Sequence, residues 1–366
     1  MINKKVFKWL YFSLIVLLLI SLASYIGYSQ DIPTYTYEKS VLINFDYTFN
    51  NEALNKPIQV RENPKTKGIV VLDNGNNCLY IFTQEGKFVK KTGQAGQGPG
   101  DLLKPAYFTI DNNGNMYIYE DGNARISIFD YNGKYINSFR IDKIVQKSFS
   151  VTPEGEILIS HPHKGHYITV YSKEGKLLKN IGKVDETIKF NPKDSFTAAS
   201  YAGFPIMLSN GNYCIFLETL YYIKIFKEQD ILLKDITYDK VFPEKTSYKK
   251  YKEKLTETEQ RVKSKSKSAV IMMFNLMDII YKNNKIYYAE SQSIESNKSG
   301  YYNINIFILN NNLEIEEIIT LRDAGSIDYN ANISYKFGFD VLSLNKVILY
   351  PDYLDAEIFR YIIKGN

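Results

Sequence analysis

Two stretches of the chain gather the residue types that do chemistry. In KKTGQAGQGPGDLLKP, residues 90–105, Gly93, Gly96, Gly98 and Gly100 fall with Pro99 inside eight positions. Such a loop cradles a phosphate when a strand precedes it and a helix follows, so that the helix amides face the anion. Strand-like GKFVKKTG does precede it. No Gly-Lys-Ser/Thr follows, however, and Pro105 with strand-like AYFTID stands where the helix would start. The expected role is a corner between two strands. The glycines allow positive φ and close backbone passage, Pro99 stiffens one point, and Asp101 accepts hydrogen bonds from the loop's own amides.

The second stretch, HPHKGH, holds all three histidines, His161, His163 and His166. On a strand, His161 and His163 share a face, as a metal pair requires. Pro162 and Gly165 mark a strand end, and no acidic or cysteine ligand lies within four residues. A solvent-exposed turn is the expectation, with His161 and His163 as weak metal candidates. There is no Gly-x-Ser-x-Gly elbow, no His-Glu-x-x-His and no histidine elsewhere for a triad. Cys78 and Cys214 sit in apolar NNCLYIF and NYCIFLE. Export would permit a disulfide, but the apolar settings fit buried thiols better.

The elements that must position these residues are strands. With 45% hydrophobic residues, 31 Tyr and 21 Phe among 366, the chain is rich enough in core and strand formers for a large all-β unit. Period-two apolar segments recur from residue 40 almost to the end, and their turns form two series. One is IFTQEGKFV, IFDYNGKYI and VYSKEGKLL, with Gly86, Gly133 and Gly175; the other is DNNGNMYIYE, TPEGEILIS and LSNGNYCIF, with Gly114 and Gly155. A spacing of ~40–45 residues with four strands per unit is that of propeller blades. The blades are expected at 57–92, 105–141, 147–182, 204–238, 270–321 and 333–363. The last shows three clear strands, and SVLINFDYTF (40–49) is expected to supply its fourth and so close a ring of six. Closure removes the open edge that invites aggregation.

Two segments depart from the repeat. Lys4, Lys5 and Lys8 precede an uncharged apolar run from Trp9 to Ile26. That is the pattern of an export segment, with positive residues left behind in the cytoplasm. Ser21-Leu22-Ala23 suits signal cleavage, whereas the length of the run suits an uncleaved anchor; residues 1–30 are one or the other, and 31–366 the propeller. Between the fourth and fifth blades, residues 243–268 carry nine basic and four acidic residues in a helix-favouring composition, expected as a short helical insertion. A milder insertion lies at 183–203. Without the three N-terminal lysines, 42 basic face 40 acidic residues. Such a balance gives no reason to expect nucleic acid.

On these residues the chain resembles a family. GQAGQGPGDLLKP is similar to the Gly-x-Gly-x-Gly-Pro-Gly-Glu-Phe loop of six-bladed β-propellers common in Bacteroidetes and related to NHL-repeat propellers, with Asp101 for Glu and Leu102 for Phe. MYIYEDGNARISIFD, with Asp121, Asn123 and Arg125, resembles their repeat strand, and IVVLDNGNNCLYIF, with Asp73 and Asn76, is a degenerate copy. The resemblance covers about 58–182 and implies that these polar residues fix turns and link strands. It also implies the function classes to weigh. The first is an extracytoplasmic, non-catalytic module binding a glycan, peptide or envelope protein with loops on one face, with no cofactor, and touching the membrane through residues 9–26 if these stay attached. The alternative is a metal-dependent lactonase-, esterase- or lyase-like enzyme using Ca²⁺ or Zn²⁺ at the central channel. Three or more carboxylates converging there would favour the enzyme, and an apolar plug would favour binding at the rim.

Overall fold

A computed structural model describes residues 34–35, 37–43, 53–141, 149–161, 164–184, 202–217, 222–228, 230–242, 276–293, 301–326, 340–341, 348–352 and 357–363. The expected N-terminal helix and helical insertion fall on 1–30 and 243–268, outside them. The chain opens with β1 (Thr34–Tyr35) and β2 (Tyr37–Ile43). Blade 1 follows as β3 (Pro57–Glu62), β4 (Ile69–Asp73), β5 (Cys78–Phe82) and β6 (Phe88–Thr92). Blade 2 is β7 (Pro105–Ile110), β8 (Met116–Glu120), β9 (Arg125–Phe129) and β10 (Tyr135–Arg140). Blade 3 is β11 (Phe149–Val151), β12 (Ile157–Ile159), β13 (His166–Tyr171) and β14 (Leu177–Lys183). Blade 4 is β15 (Phe204–Met207), β16 (Tyr213–Leu217), β17 (Tyr222–Phe226) and β18 (Leu232–Thr237), with the helical turn α1 (Tyr238–Val241) after it. Blade 5 is β19 (Leu276–Lys282), β20 (Lys285–Ser293), β21 (Tyr301–Leu309) and β22 (Ile315–Ser326), and blade 6 contains β23 (Asp340–Val341), β24 (Ile348–Asp352) and β25 (Glu357–Ile363).

Each blade is an antiparallel meander, and the six sheets are separate. First strands lie beside first strands of neighbouring blades, β23 by β3, β3 by β7, β7 by β11 and β11 by β15, so they form the inner ring. Two faces follow. The connector face carries the turns between second and third strands and the links between blades. The turn face carries the hairpins between first and second and between third and fourth strands.

Radial sheets explain the apolar runs. β4, β5 and β8 are buried at every residue because a sheet lies on each side. Alternate side chains serve different neighbours. Val70, Leu72, Leu79 and Ile81 pack with Phe108, Met116 and Ile118 of blade 2. Ile69, Val71, Cys78 and Tyr80 pack with Ile43 on the other side. Each such side chain contributes about 1.5–3 kcal/mol by leaving water. α1 serves the same end: the Phe242 ring just beyond it lies 4.7 Å from Tyr288 and 5.1 Å from Phe307. Cys78 and Cys214 belong to different clusters and form no disulfide. Burial pushes the Cys214 thiol above its ordinary range.

The last blade takes its fourth strand from the start of the chain, as expected, but with shifted bounds. β2 pairs with β25 from Tyr37↔Ile363 to Ile43↔Ile358, so the closing strand begins before residue 40; residues 44–49 lie outside the described ones. The alternating TYEKS sequence ahead of Val41 extends the pairing along a seven-residue partner. The sequence reading also missed β1, which adds to blade 5 in parallel, Thr34 against Ile318 and Tyr35 against Ile319.

The Gly-Lys turns have a tertiary reason. Gly86, Gly133 and Gly175 have φ of +85°, +73° and +80°. A Cβ on them would lie 3.0 Å from the Leu42 carbonyl oxygen, 3.1 Å from Thr92 Cβ and 2.5 Å from Phe139 Cγ respectively. Each hairpin therefore rests on the outer strand of the preceding blade. In blade 4 Asp230 does this work, accepting the amides of Gly182 and Lys183.

Two substitutions separate local from tertiary cost. Gly211, φ +79°, has nothing within 4 Å of a built Cβ. Gly211→Ala should lose only the left-handed penalty of about 1–2 kcal/mol, whereas Gly175→Ala should lose about 1–3 kcal/mol more through overpacking on Phe139. Denaturant unfolding midpoints check this, and equal losses would refute the inter-blade contact.

Candidate functional site

The glycine loop is held from within. Arg125, at the start of β9, donates to the carbonyl oxygens of Gln97 (2.9 Å), Gly98 (3.1 Å) and Asp101 (2.7 Å). Its Nε meets Glu120 Oε1 at 2.7 Å, and that carboxylate is wholly buried. The Asp101 carboxylate accepts the Gly98 amide at 3.0 Å. At Gly96 a Cβ would lie 2.4 Å from Asp101 Oδ2. Of the amides that a phosphate would need, that of Gly98 thus faces a carboxylate and that of Gly96 bonds to the Leu102 carbonyl, while carbonyls face the cation. Gly93 and Gly100 carry the positive φ, +83° and +84°, and Pro99 lies between Gly98 and Gly100 in the turn. Leu102, where the resembled loop has Phe, is fully buried between blades 1 and 2.

The repeat motifs align by structure in a way their letters concealed. Asp73 ends β4 as Glu120 ends β8, so the partner of Asp73 is Glu120 and not Asp121. Asp73 accepts the amides of Asn55 (2.7 Å), Lys56 (3.1 Å) and Asn76 (2.9 Å). Glu120 accepts Leu103 N–H at 2.9 Å. Asn76 donates to Ala53 O and Asn123 to Gly96 O. In both blades a buried carboxylate and an asparagine tie the second turn to the incoming connector. Asp121 is exposed at the tip, its amide bonded to Lys104 O.

The central channel holds a charged network that sequence reasoning missed. Arg61 of β3 meets Asp278 of β19 at 2.7 Å, joining blades 1 and 5 across blade 6. Tyr107 of β7 donates to Asp278 Oδ1 at 3.3 Å and lies 3.3 Å from Arg61 Nη2. Towards the turn face, Lys282 Nζ sits 2.7 Å from Glu62 and 3.6 Å from Asp340, and Asp340 accepts the Glu62 amide at 2.6 Å. Burial lowers the Arg61 and Lys282 pKa values, but Asp278 and Asp340, respectively, override it and hold both above their ordinary ranges. Burial, reinforced by Asp278, keeps the Tyr107 phenol protonated. Three carboxylates therefore converge on the channel, each bonded to a protein cation or amide. The available signal was a charge inside an apolar inner strand: PIQVRE, LMDIIYK and GFDV.

The histidine stretch is mixed among its described residues: Lys164 is exposed and His166, at the start of β13, is partly exposed. His161, two residues past the end of β12, is buried. His163 lies outside the described residues. Among the described residues no group of three or more His, Cys, Asp or Glu is placed to hold a metal. No helix among them is long and apolar enough to cross a membrane, and residues 9–26 lie outside them.

A family model described as a 6-bladed beta-propeller matches residues 53–335. The human E3 ubiquitin-protein ligase NHLRC1 is 27% identical over 122 residues, 31% of this chain and 29% of that protein, so the chain spans less than a third of that relative. A Bacteroides fragilis protein described as exported has a similar structure, with 13% identity, 90% of this chain and 96% of that one covered, and TM-score 0.53. Virginiamycin B lyase from Staphylococcus aureus is similar at 11% identity, covering 90% and 100%, with TM-score 0.50. At such identities the two structures show the shared fold alone.

Breaking the channel pair should be costly. Arg61→Met strands the fully buried Asp278 and should lose about 3–5 kcal/mol, and adding Asp278→Leu should recover most of it. A double-mutant cycle from denaturant unfolding checks this; additive losses would show that the pair does not act as a unit.

Proposed function

Since the chain belongs to the six-bladed β-propeller family whose model spans residues 53–335, we propose that it is an extracytoplasmic, non-catalytic binding module. Its connector face recognises a glycan, a peptide or an envelope protein. The observation that carries this reading is the state of the channel: Glu62, Asp278 and Asp340 are committed to Lys282 and Arg61. A metal-centred enzyme needs such carboxylates open to an ion. The connector face, by contrast, presents the exposed side chains of Gln94, Gln97, Lys104 and Asp121. They stand on loops pinned beneath by Glu120, Arg125 and Asp73. Loops fixed in advance lose little conformational entropy on binding. The N-terminal run, read as an export segment, supports placing this face outside the cytoplasm.

The second reading, a channel enzyme, draws on the three converging carboxylates themselves, and one assay separates the two. Full-length protein applied to glycan and peptide arrays should retain a definable ligand class. Replacing Gln97 and Asp121 with Ala should weaken that binding about tenfold, the loss of roughly one well-placed polar contact, without moving the unfolding midpoint. No retention on any array, together with a Ca²⁺- or Zn²⁺-dependent rise in melting temperature and a chelator-sensitive esterase activity, would replace the module with the enzyme.

A further inference from the structure

The outer strands of blades 1–4 share a feature that folding does not require. After the Gly-Lys turn, or its equivalent in blade 4, each pairing skips one residue: Val89, Ile136, Leu178 and Leu233. A bulge turns the skipped side chain away from the ladder. In all four blades that residue is aliphatic, and it is 55%, 52%, 44% and 45% exposed respectively. Leu177, Ile231 and Leu232 add to the patch in blades 3 and 4. Blade 5 has the same bulge, but there it carries Glu316, bonded to Lys285. The exposed aliphatics thus form an arc over four consecutive blades, at one level along the propeller axis, next to the turn face.

We propose that this arc rests on a lipid bilayer bearing anionic headgroups, so that the turn face meets the membrane and the connector face points away from it. Three observations select a bilayer. The arc is convex and its apolar residues stand one blade apart at equal height, which a flat, deformable surface meets at once. Lys87, Lys90, Lys134, Lys176 and Lys234 flank the bulged residues, as interfacial segments that bury apolar tips under a basic rim require. Glu85, Asp130, Glu174, Glu228 and Asp230 share these turns and offset part of the lysine charge, which makes the attraction local and salt-sensitive. Finally, the chain enters on this side. β2 occupies the outer place of blade 6 and β1 runs parallel to β22, so both begin towards the turn face. Only residues 27–33 separate β1 from the apolar run ending at Ile26, a reach of at most about 25 Å. The arc occupies the blades whose outer edges the incoming strands leave uncovered.

This orientation stands apart from the identity of any ligand, and hydrogen exchange tests it. The full chain is reconstituted into phosphatidylcholine–phosphatidylglycerol vesicles and compared with the chain in detergent micelles. Amide exchange should slow at 88–91, 135–138, 177–180 and 232–235 in the vesicles and stay unchanged at 93–104 on the connector face. The combined variant Val89→Ser, Ile136→Ser, Leu178→Ser and Leu233→Ser should lose the slowing and keep its unfolding midpoint. The wild-type comparison decides alone if that variant does not fold. Equal exchange in vesicles and micelles, or equal slowing on both faces, would overturn the proposal. So would slowing in micelles that grows with protein concentration, because that marks a second copy as the occupant.

Discussion

A sheet whose middle strands are buried on both faces needs a neighbour on each side, and this constraint organises the molecule. Val70 and Leu72 face one blade while Ile69 and Val71 face another, so a blade removed from the ring exposes two apolar surfaces. Closure therefore has to be complete. It is reached by pairing β2 with β25, joining residues more than three hundred positions apart, as in the Ser40 Oγ bond to the Arg360 carbonyl at 3.3 Å. The three Gly-Lys hairpins of blades 1–3 add a peripheral arc of contacts, each turn seated on the blade before it.

The same geometry makes the axis a difficult place. Inner strands converge there, and their charged residues leave water. Arg61, Asp278 and Tyr107 answer one another in mid-channel, and Lys282, Glu62 and Asp340 do so nearer the turn face. Removing two charges from water costs about as much as their attraction returns, so such pairs add little net stability. What they do provide is a fixed relation between blades 1 and 2 at one end of the chain and blades 5 and 6 at the other, remote in sequence and brought together in the ring.

The two faces are consequently unlike. On the connector face, buried Glu120 and Asp73 draw backbone amides inward, and Arg125 gathers three carbonyls. The loops are rigid and their outer side chains polar. On the turn face, bulges lift aliphatic residues into solvent beside lysines. The first face is polar and the second carries exposed aliphatic residues.

Much of this was legible in one dimension. Period-two runs and the recurrence of Gly86, Gly133 and Gly175 specify strand, turn and blade length, because side-chain alternation and positive φ are local requirements. Pro105 alone argues that the glycine loop turns a corner. Other features were decided only by packing. Nothing near His161 in the sequence, between Ser160 and Pro162, indicates that it is buried. The equivalence of Asp73 and Glu120 is fixed by their strand ends and agrees with the three-residue step from each to Asn76 and Asn123. Arg61 and Asp278, 217 positions apart, become partners only when the ring closes. Sequence by itself determined the repeat unit, because side-chain alternation and turn conformation are set within forty-odd residues. Tertiary structure decided the channel and the character of each face, because those arise where blades distant along the chain are brought to one axis.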